Sequence, residues 1–400
     1  MTVKNSVLVN IGIFVCAMVV LCVILEAGLA IIGINTKSNI RFVEDKGTTF
    51  VPHAYYRHTK EGFSEGYFNA HGFRDYERTY QKPEETFRIL ILGDSYTEAL
   101  QVSLEKTFPA LLEKKLNDTT HSPKFEVLNL GQSGFGTADA YMRYLNFGVQ
   151  YSPDLVILAF LTGNDFRNNS KLLNEESVAF YFVFDENNEL VLDRSLFDAY
   201  RNDMTLLKKM FQSLKRHSYL ASLLSERMYL WELQRQEQDL SNRVTNNGAA
   251  STSTLEDFSD LNIYIPKLRP LWREAFNITA GVVLKFRDSV RQNGSDFLLV
   301  TLSNPEQVQE EIQQDVVQRY DVTFDFEQPD TFLEKLAQRN EITFLKLLPV
   351  LKDYYLTTGK PLHGFGSSLG LGHWNEEGHN VAAETIFKFL HERGLVPSSA

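Results

Sequence analysis

Five short apolar runs rich in β-branched and aromatic residues recur along the chain, with helical stretches between them. They are Phe87–Leu92, Phe125–Leu130, Asp154–Leu161, Phe297–Leu302 and Ile342–Leu347. Runs of this length, bounded by turn residues and alternating with Leu104–Leu116 and Thr137–Gly148, predict parallel strands joined by crossover helices. An α/β class follows, with a parallel sheet of five strands. The C-terminal Asn380–Arg393 is amphipathic and is expected to cover one face of that sheet. No internal repeat is present.

At 400 residues and 43% hydrophobic content, the chain can bury a sizeable core. Its net charge of −11, with no basic stripe, excludes a nucleic-acid surface. Cys16 and Cys22 are the only cysteines, so the rest of the chain has no disulfide, thiolate zinc site or cysteine nucleophile. Both lie in an almost wholly apolar run from Val7 to Leu25 that resumes after Glu26 as Ala27–Ile34. That exceeds the roughly 20 residues needed to cross a bilayer. Gly28-Leu29-Ala30 resembles a signal-cleavage site, but the run outlasts the ~7–15 residues of a signal core, so an uncleaved anchor is expected. Neither cysteine has the preceding small residue of a lipidation site. Lys37, Arg41 and Lys46 slightly favour a cytoplasmic C-terminal portion over Lys4 and the amino terminus. A large cysteine-free domain behind an anchor nonetheless points outward. The expectation is a single-pass protein of the inner or plasma membrane with its main domain extracytoplasmic.

Open parallel sheets bind ligands at the carboxyl ends of their strands. Gly93-Asp94-Ser95 follows the first strand, where Thr97–Leu100 opens a helix and unpaired N–H groups favour negative charge. By itself such a serine is usually a helix cap. Asn129-Leu-Gly131-Gln-Ser-Gly134-Phe-Gly136 follows the second strand, a loop whose backbone can approach a ligand closely. Gly163-Asn164-Asp165 follows the third. Together they offer a hydroxyl nucleophile, a backbone N–H donor and an amide donor at one edge, the set that acyl transfer requires. His373, in the loop before the last helix, is placed to act as base, with Asn375 as that helix's N-cap.

These blocks resemble the SGNH hydrolases, the GDSL-like esterases and lipases. Ser95 matches the nucleophile, Gly134 and Asn164 the oxyanion-hole residues, and His373 the base, all in the family's order. The resemblance covers about residues 69–165 and 296–393. It extends to a bacterial branch of single-span membrane proteins, in which a segment like Asn69-Ala-His-Gly-Phe-Arg-Asp75 precedes the first block. It implies a three-layer α/β/α sandwich of flavodoxin-like type. It also implies an oxyanion hole made by the N–H groups of Ser95 and Gly134 and the Asn164 amide. One position departs. The family usually carries an aspartate three residues before the histidine, and here that residue is Gly370. The expected substitutes are a backbone carbonyl, Glu376 or Asp353.

Gly366-Ser-Ser368-Leu-Gly370 spells a nucleophile elbow, but Pro361–Phe365 is a poor strand to precede it. His363, His373, His379, Glu376 and Glu377 lack a zinc-binding spacing, and a Ser–His mechanism needs no ion, so no metal or cofactor is expected. The expected organisation is an anchor at 1–34, an irregular approach segment at 35–85 and a hydrolase domain at 86–395. An insertion at about 170–290 interrupts that domain. Within it, Ala179–Phe184 and Glu189–Leu192 read as a hairpin. A long helical stretch through Leu207, Phe211, Leu214, Leu223, Leu224, Met228 and Trp231 is expected to pack on the main domain rather than form a lid. Asn246–Thr254 is low in complexity and reads as a loop. The expected activity is hydrolysis of an O-acyl ester on a cell-envelope glycan or lipid. An O-acetyltransferase using the same site and a weakened glycan-binding scaffold are the alternatives. Protein partners are not indicated.

Overall fold

The computed structural model describes residues 3–32, 39–43, 46–119, 122–174, 179–203, 205–225, 227–228, 231, 255–256 and 259–397. They form two compact units, one of Arg41–Tyr200 with Ser251–Ala400, the other of Met1–Ile40 with Arg201–Ala250.

The larger unit contains an antiparallel hairpin, β1 (Tyr55–His58) and β2 (Ser64–Tyr67), ahead of its main sheet. The described part of the segment before the sheet therefore carries strands where the sequence suggested an irregular run. Its aromatic residues account for the difference, because Phe50 and Phe68 stack at 4.0 Å and bury themselves with Tyr56. The central strands are β3 (Thr86–Gly93), β4 (Lys124–Asn129) and β5 (Leu155–Leu161). An insertion hairpin follows, β6 (Tyr181–Phe184) and β7 (Leu190–Asp193), then β8 (Asp296–Leu302) and β9 (Thr343–Lys346). The sheet has five parallel strands in the order β9-β8-β5-β3-β4. The chain moves from β3 to β4 on one side and then returns to β5 on the other. The carboxyl end of β3 thus lies at a topological switch point, where a crevice opens.

Helices cover both faces. α1 (Ser95–Glu98) is a single turn, followed by α2 (Phe108–Thr119) and α3 (Thr137–Asn146). α4 (Pro270–Gln292) closes the insertion, and α5 (Gln328–Arg339), α6 (Leu348–Thr358) and α7 (Glu376–Glu392) follow it. Alternation along the strands divides the apolar side chains into two cores. Leu90, Leu92, Leu158 and Leu299 pack with α3, α4 and α5, whereas Ile89, Ile91, Ile157 and Val300 pack with α2, α6 and α7. All eight are fully or almost fully buried. Each contributes roughly 1.5–3 kcal/mol by leaving water, and a one-residue slip would swap its face, so the register is tightly fixed.

In the smaller unit, one helix runs from Val3 to Ile32. Its stretch Val9–Ile32 is long and apolar enough to cross a membrane, and none of it is buried. The insertion supplies a helix at Leu206–His217, where the Thr205 hydroxyl accepts from Lys208 N–H at 3.3 Å, and a second at residues 219–225. Leu207, Phe211 and Leu214 are 52–77% exposed, and Leu224, Met228 and Trp231 are exposed as well. The Asn246–Thr254 loop lies outside the described residues.

Candidate active site

β3 delivers the chain into a tight turn at Gly93, and the helix that follows is capped by Asp94 rather than by Ser95. The Asp94 carboxylate accepts from Tyr96 N–H at 2.9 Å. Ser95 is left at the first helical position, where its own N–H has no carbonyl within the helix to meet. Complete burial pushes the Asp94 carboxyl up to about 6, against the opposing pull of the Tyr96 N–H and His373. The Ser95 hydroxyl stands 2.9 Å from His373 Nε2 and 3.3 Å from Asp94 Oδ2.

His373 sits in a loop held by backbone bonds. Gly364 N–H donates to His373 O at 2.8 Å, and Asn375 N–H donates to Leu362 O at 3.0 Å. Tyr96 O–H donates to Gly372 O at 2.9 Å, joining this loop to the short helix that carries Ser95. The acid behind the imidazole is Glu61, from the β1–β2 turn. Its Oε2 lies 2.6 Å from His373 Nδ1 and its Oε1 accepts from His373 N–H at 2.6 Å. A carboxylate only accepts, so Nδ1 carries the proton and Nε2 is free to accept from Ser95. Burial alone would raise the Glu61 pKa. The His373 contacts outweigh it and hold the carboxyl below its ordinary range, so Glu61 stays ionised at neutral pH.

Gly372 makes this arrangement possible. Its φ is +83°, and a Cβ built there would come within 2.2 Å of Glu61 Oε1. The expected substitutes for the missing aspartate lie elsewhere. Glu376 is exposed and pairs with Lys106 at 2.7 Å, and Asp353 is exposed on α6. Gly370 has φ +97° and gives its carbonyl to Gln309 Nε2 at 2.5 Å. Sequence reasoning missed Glu61 because the acid comes from more than 300 positions upstream of the histidine it serves. The available signal was a glycine-containing turn, Thr59–Phe63, between two β-rich runs, but nothing in it fixes where that hairpin docks.

The docking is done by buried polar bonds. Ser64 O–H donates to Leu100 O at 2.5 Å and Phe63 N–H to Gln101 O at 3.2 Å, just beyond α1. Arg74, wholly buried, donates to Glu98 O and Ala99 O at 2.8 Å and to Val102 O at 2.5 Å. It thereby satisfies the carbonyls that a one-turn helix leaves open, and its charge complements their partial negative charge. Arg74, from the Asn69–Asp75 segment singled out in the sequence, thus clamps the turn that carries Ser95.

Gly134 and Asn164 follow β4 and β5, the neighbours of β3, so both lie at the carboxyl edge that carries Ser95. The Gly134 loop is tied to α1 by Glu98, whose carboxylate accepts from Ser133 N–H at 2.6 Å and Ser133 O–H at 2.5 Å. Gly134 adopts φ +83°, in the left-handed region that glycine tolerates. Asn164 is half-buried, and its Oδ1 is buried without a hydrogen-bond partner. Asn168 Nδ2, on the following turn, reaches Gly134 O at 3.5 Å and bridges the two loops.

His363 and His379 are buried structural residues. The His363 imidazole bonds Ser303 O at 3.0 Å, and His379 Nδ1 accepts from Phe108 N–H at 3.3 Å. Burial lowers their pKa values to about 4 and about 3. Gly366–Ser368 is an exposed turn with no strand before it, so the alternative elbow is not formed. Among the described residues, no group of histidine, cysteine and carboxylate side chains has the arrangement of a metal site.

No family model and no curated protein matches the chain. Solved structures do. An acetyl xylan esterase, AlAXEase, is 13% identical, with 76% of this chain and 100% of that one covered and a TM-score of 0.40. Axe2, an acetylxylan esterase from Geobacillus stearothermophilus, is 12% identical over 77% and 94% of the two chains, with a TM-score of 0.38. A putative lipolytic protein of the G-D-S-L family from Desulfitobacterium hafniense is 12% identical over 75% and 98%, at 0.35.

Proposed function

We propose that the chain is a serine esterase of SGNH type. The reading is carried by one observation, the hydrogen-bonded line from Ser95 Oγ to His373 at 2.9 Å and from His373 to Glu61 at 2.6 Å. In the reaction, Ser95 Oγ attacks the ester carbonyl while His373 Nε2 takes its proton. Glu61 fixes the ring's tautomer and stabilises the imidazolium. The N–H groups of Ser95 and Gly134 and the Asn164 amide hold the oxyanion, a role worth roughly 3–4 kcal/mol per donor in well-studied hydrolases. His373 then protonates the leaving alcohol, and water resolves the acyl-enzyme by the same route. Glu61 also weighs against the scaffold alternative, whose support was the missing acid at Gly370.

A fluorophosphonate probe should label the wild-type protein and not Ser95→Ala, with both variants equally folded by circular dichroism. Labelling that persists in Ser95→Ala ends the reading. Turnover of p-nitrophenyl acetate with and without a glycan acceptor separates hydrolysis from acetyl transfer, which would use the same residues. The Val9–Ile32 helix is read as a retained membrane anchor with the esterase unit outside the cytoplasm. That location favours glycan or lipid esters of the cell envelope as substrates. A reporter active only in the cytoplasm, fused after the C-terminus, should stay silent.

A further inference from the structure

The helix Leu206–His217 carries an apolar stripe that its own unit leaves uncovered. Leu206, Leu207, Met210, Phe211 and Leu214 are 75%, 77%, 60%, 52% and 52% exposed. Their spacing, i, i+1, i+4, i+5 and i+8, puts all of them on one side of an α-helix. Lysines border the stripe. Lys208 pairs with Asp203, Lys209 is exposed, and the Lys215 ammonium lies 5.3 Å over the Phe211 ring. The helix itself contains no acidic residue. A soluble surface rarely shows so continuous an apolar face, whereas a basic, strongly two-sided helix suits the boundary of lipid headgroups and acyl chains.

A second observation says what covers it. Glu26 lies inside the apolar N-terminal helix, where a lone carboxylate facing lipid would be costly. Its oxygens accept from Ser218 O–H at 2.9 Å, Tyr219 N–H at 2.6 Å and Leu220 N–H at 3.0 Å. Those N–H groups open the helix at 219–225 and need an acceptor, so the carboxylate and the helix start satisfy each other. Ser218 directly follows the Leu206–His217 helix. The basic helix therefore ends at the level of Glu26. That is less than two turns from Ile32, about 9 Å along the axis, and it matches the ~5–10 Å depth at which interfacial helices lie.

We propose that Leu206–His217 is an interfacial membrane helix, latched to the N-terminal span through Glu26, with its apolar stripe in the acyl boundary and its lysines among the headgroups. The proposal rests on the reading of Val9–Ile32 as an anchor, and it adds a reason why that helix is retained. Cleavage at Gly28–Ala30 would remove the carboxylate that caps the 219–225 helix.

The test uses the full chain in phosphatidylethanolamine–phosphatidylglycerol vesicles, with an environment-sensitive fluorophore at one cysteine at a time. Cys16, kept while Cys22 becomes serine, reports the anchor. Phe211→Cys and Lys209→Cys, in a background with both native cysteines changed to serine, report the two faces of the helix. Lipids with a nitroxide at a shallow acyl carbon should remove most of the emission at position 211, and aqueous iodide most of that at 209. Fluorophosphonate labelling of each variant checks that the esterase unit is folded. Iodide quenching at 211 overturns the proposal, because the stripe then faces water. Protection at 211 from both quenchers also overturns it, because protein, such as a second copy of the chain, then covers the stripe. A Cys16 label untouched by lipid nitroxides at any depth would instead sink the anchor reading itself.

Discussion

Glu61 accepts both N–H groups of His373, Nδ1–H at 2.6 Å and the backbone N–H at 2.6 Å, so one side chain sets the imidazole's tautomer, rotation and loop position together. Glu61→Gln keeps the shape but lets the amide nitrogen face Nδ1, which favours the wrong tautomer. We expect kcat to fall by about 10²–10⁴ with KM little changed, by comparison with the loss on disabling the equivalent acid in serine proteases. Gly372→Ala should cause a similar fall, since its methyl group would occupy the space of Glu61 Oε1. Glu376→Ala and Asp353→Ala should leave p-nitrophenyl acetate turnover within about twofold, since both are exposed and Glu376 pairs with Lys106 instead. A large loss in either, with Glu61→Gln unaffected, would refute the assignment.

At the scale of elements, the turn that carries Ser95 is too short to hold itself. α1 has four residues, and nearly all its backbone groups need partners from outside the helix. Arg74 supplies three donors to the carbonyls at 98, 99 and 102, and Asp94 supplies the N-terminal acceptor. Arg74→Met preserves bulk but leaves those buried carbonyls unpaired, each at a cost of about 1–3 kcal/mol. The unfolding midpoint should therefore drop. Fluorophosphonate labelling of the still-folded fraction should slow as the turn loosens. Unchanged stability would mean that water replaces the guanidinium without loss.

For the whole molecule, burial of titratable groups makes stability depend on pH. His363 and His379 remain neutral in the fold down to about pH 4 and pH 3, whereas the unfolded chain protonates its histidines near pH 6.5. Their contribution is complete above pH 6.5 and is lost progressively as the pH falls toward those lower values, on the order of a few kcal/mol for each. Buried Asp94 and Asp330, raised to about 6, act in the opposite sense over much of the same window. The useful measurement is thus a difference. Urea titrations of wild type and His379→Asn at pH 8 and pH 5 should show the variant losing less stability on acidification. An equal loss would mean that His379 is protonated within the fold.

Much of this was legible in the chain because it is written locally. The strand at β3 and the Gly-Asp-Ser turn after it are neighbours in sequence, and strand patterning fixes which residues face each core. Once β3, β4 and β5 form adjacent parallel strands, Ser95, Gly134 and Asn164 must share one edge. The acid was not legible, because its identity depends on a hairpin docking through buried backbone and side-chain bonds that no periodicity records. The insertion was half legible. Its apolar stripe could be read from spacing, yet spacing cannot distinguish a face buried in protein from one left exposed.

The sequence by itself determined the parallel α/β sheet, the Gly-Asp-Ser turn after its first strand and the order of the site blocks, since each follows from short-range patterns of apolar and turn residues. Only the tertiary structure decided that Glu61 serves His373 and that Glu26 serves the 219–225 helix. Both are pairings of a carboxylate with N–H donors far away along the chain, and such pairings are chosen by which surfaces pack together.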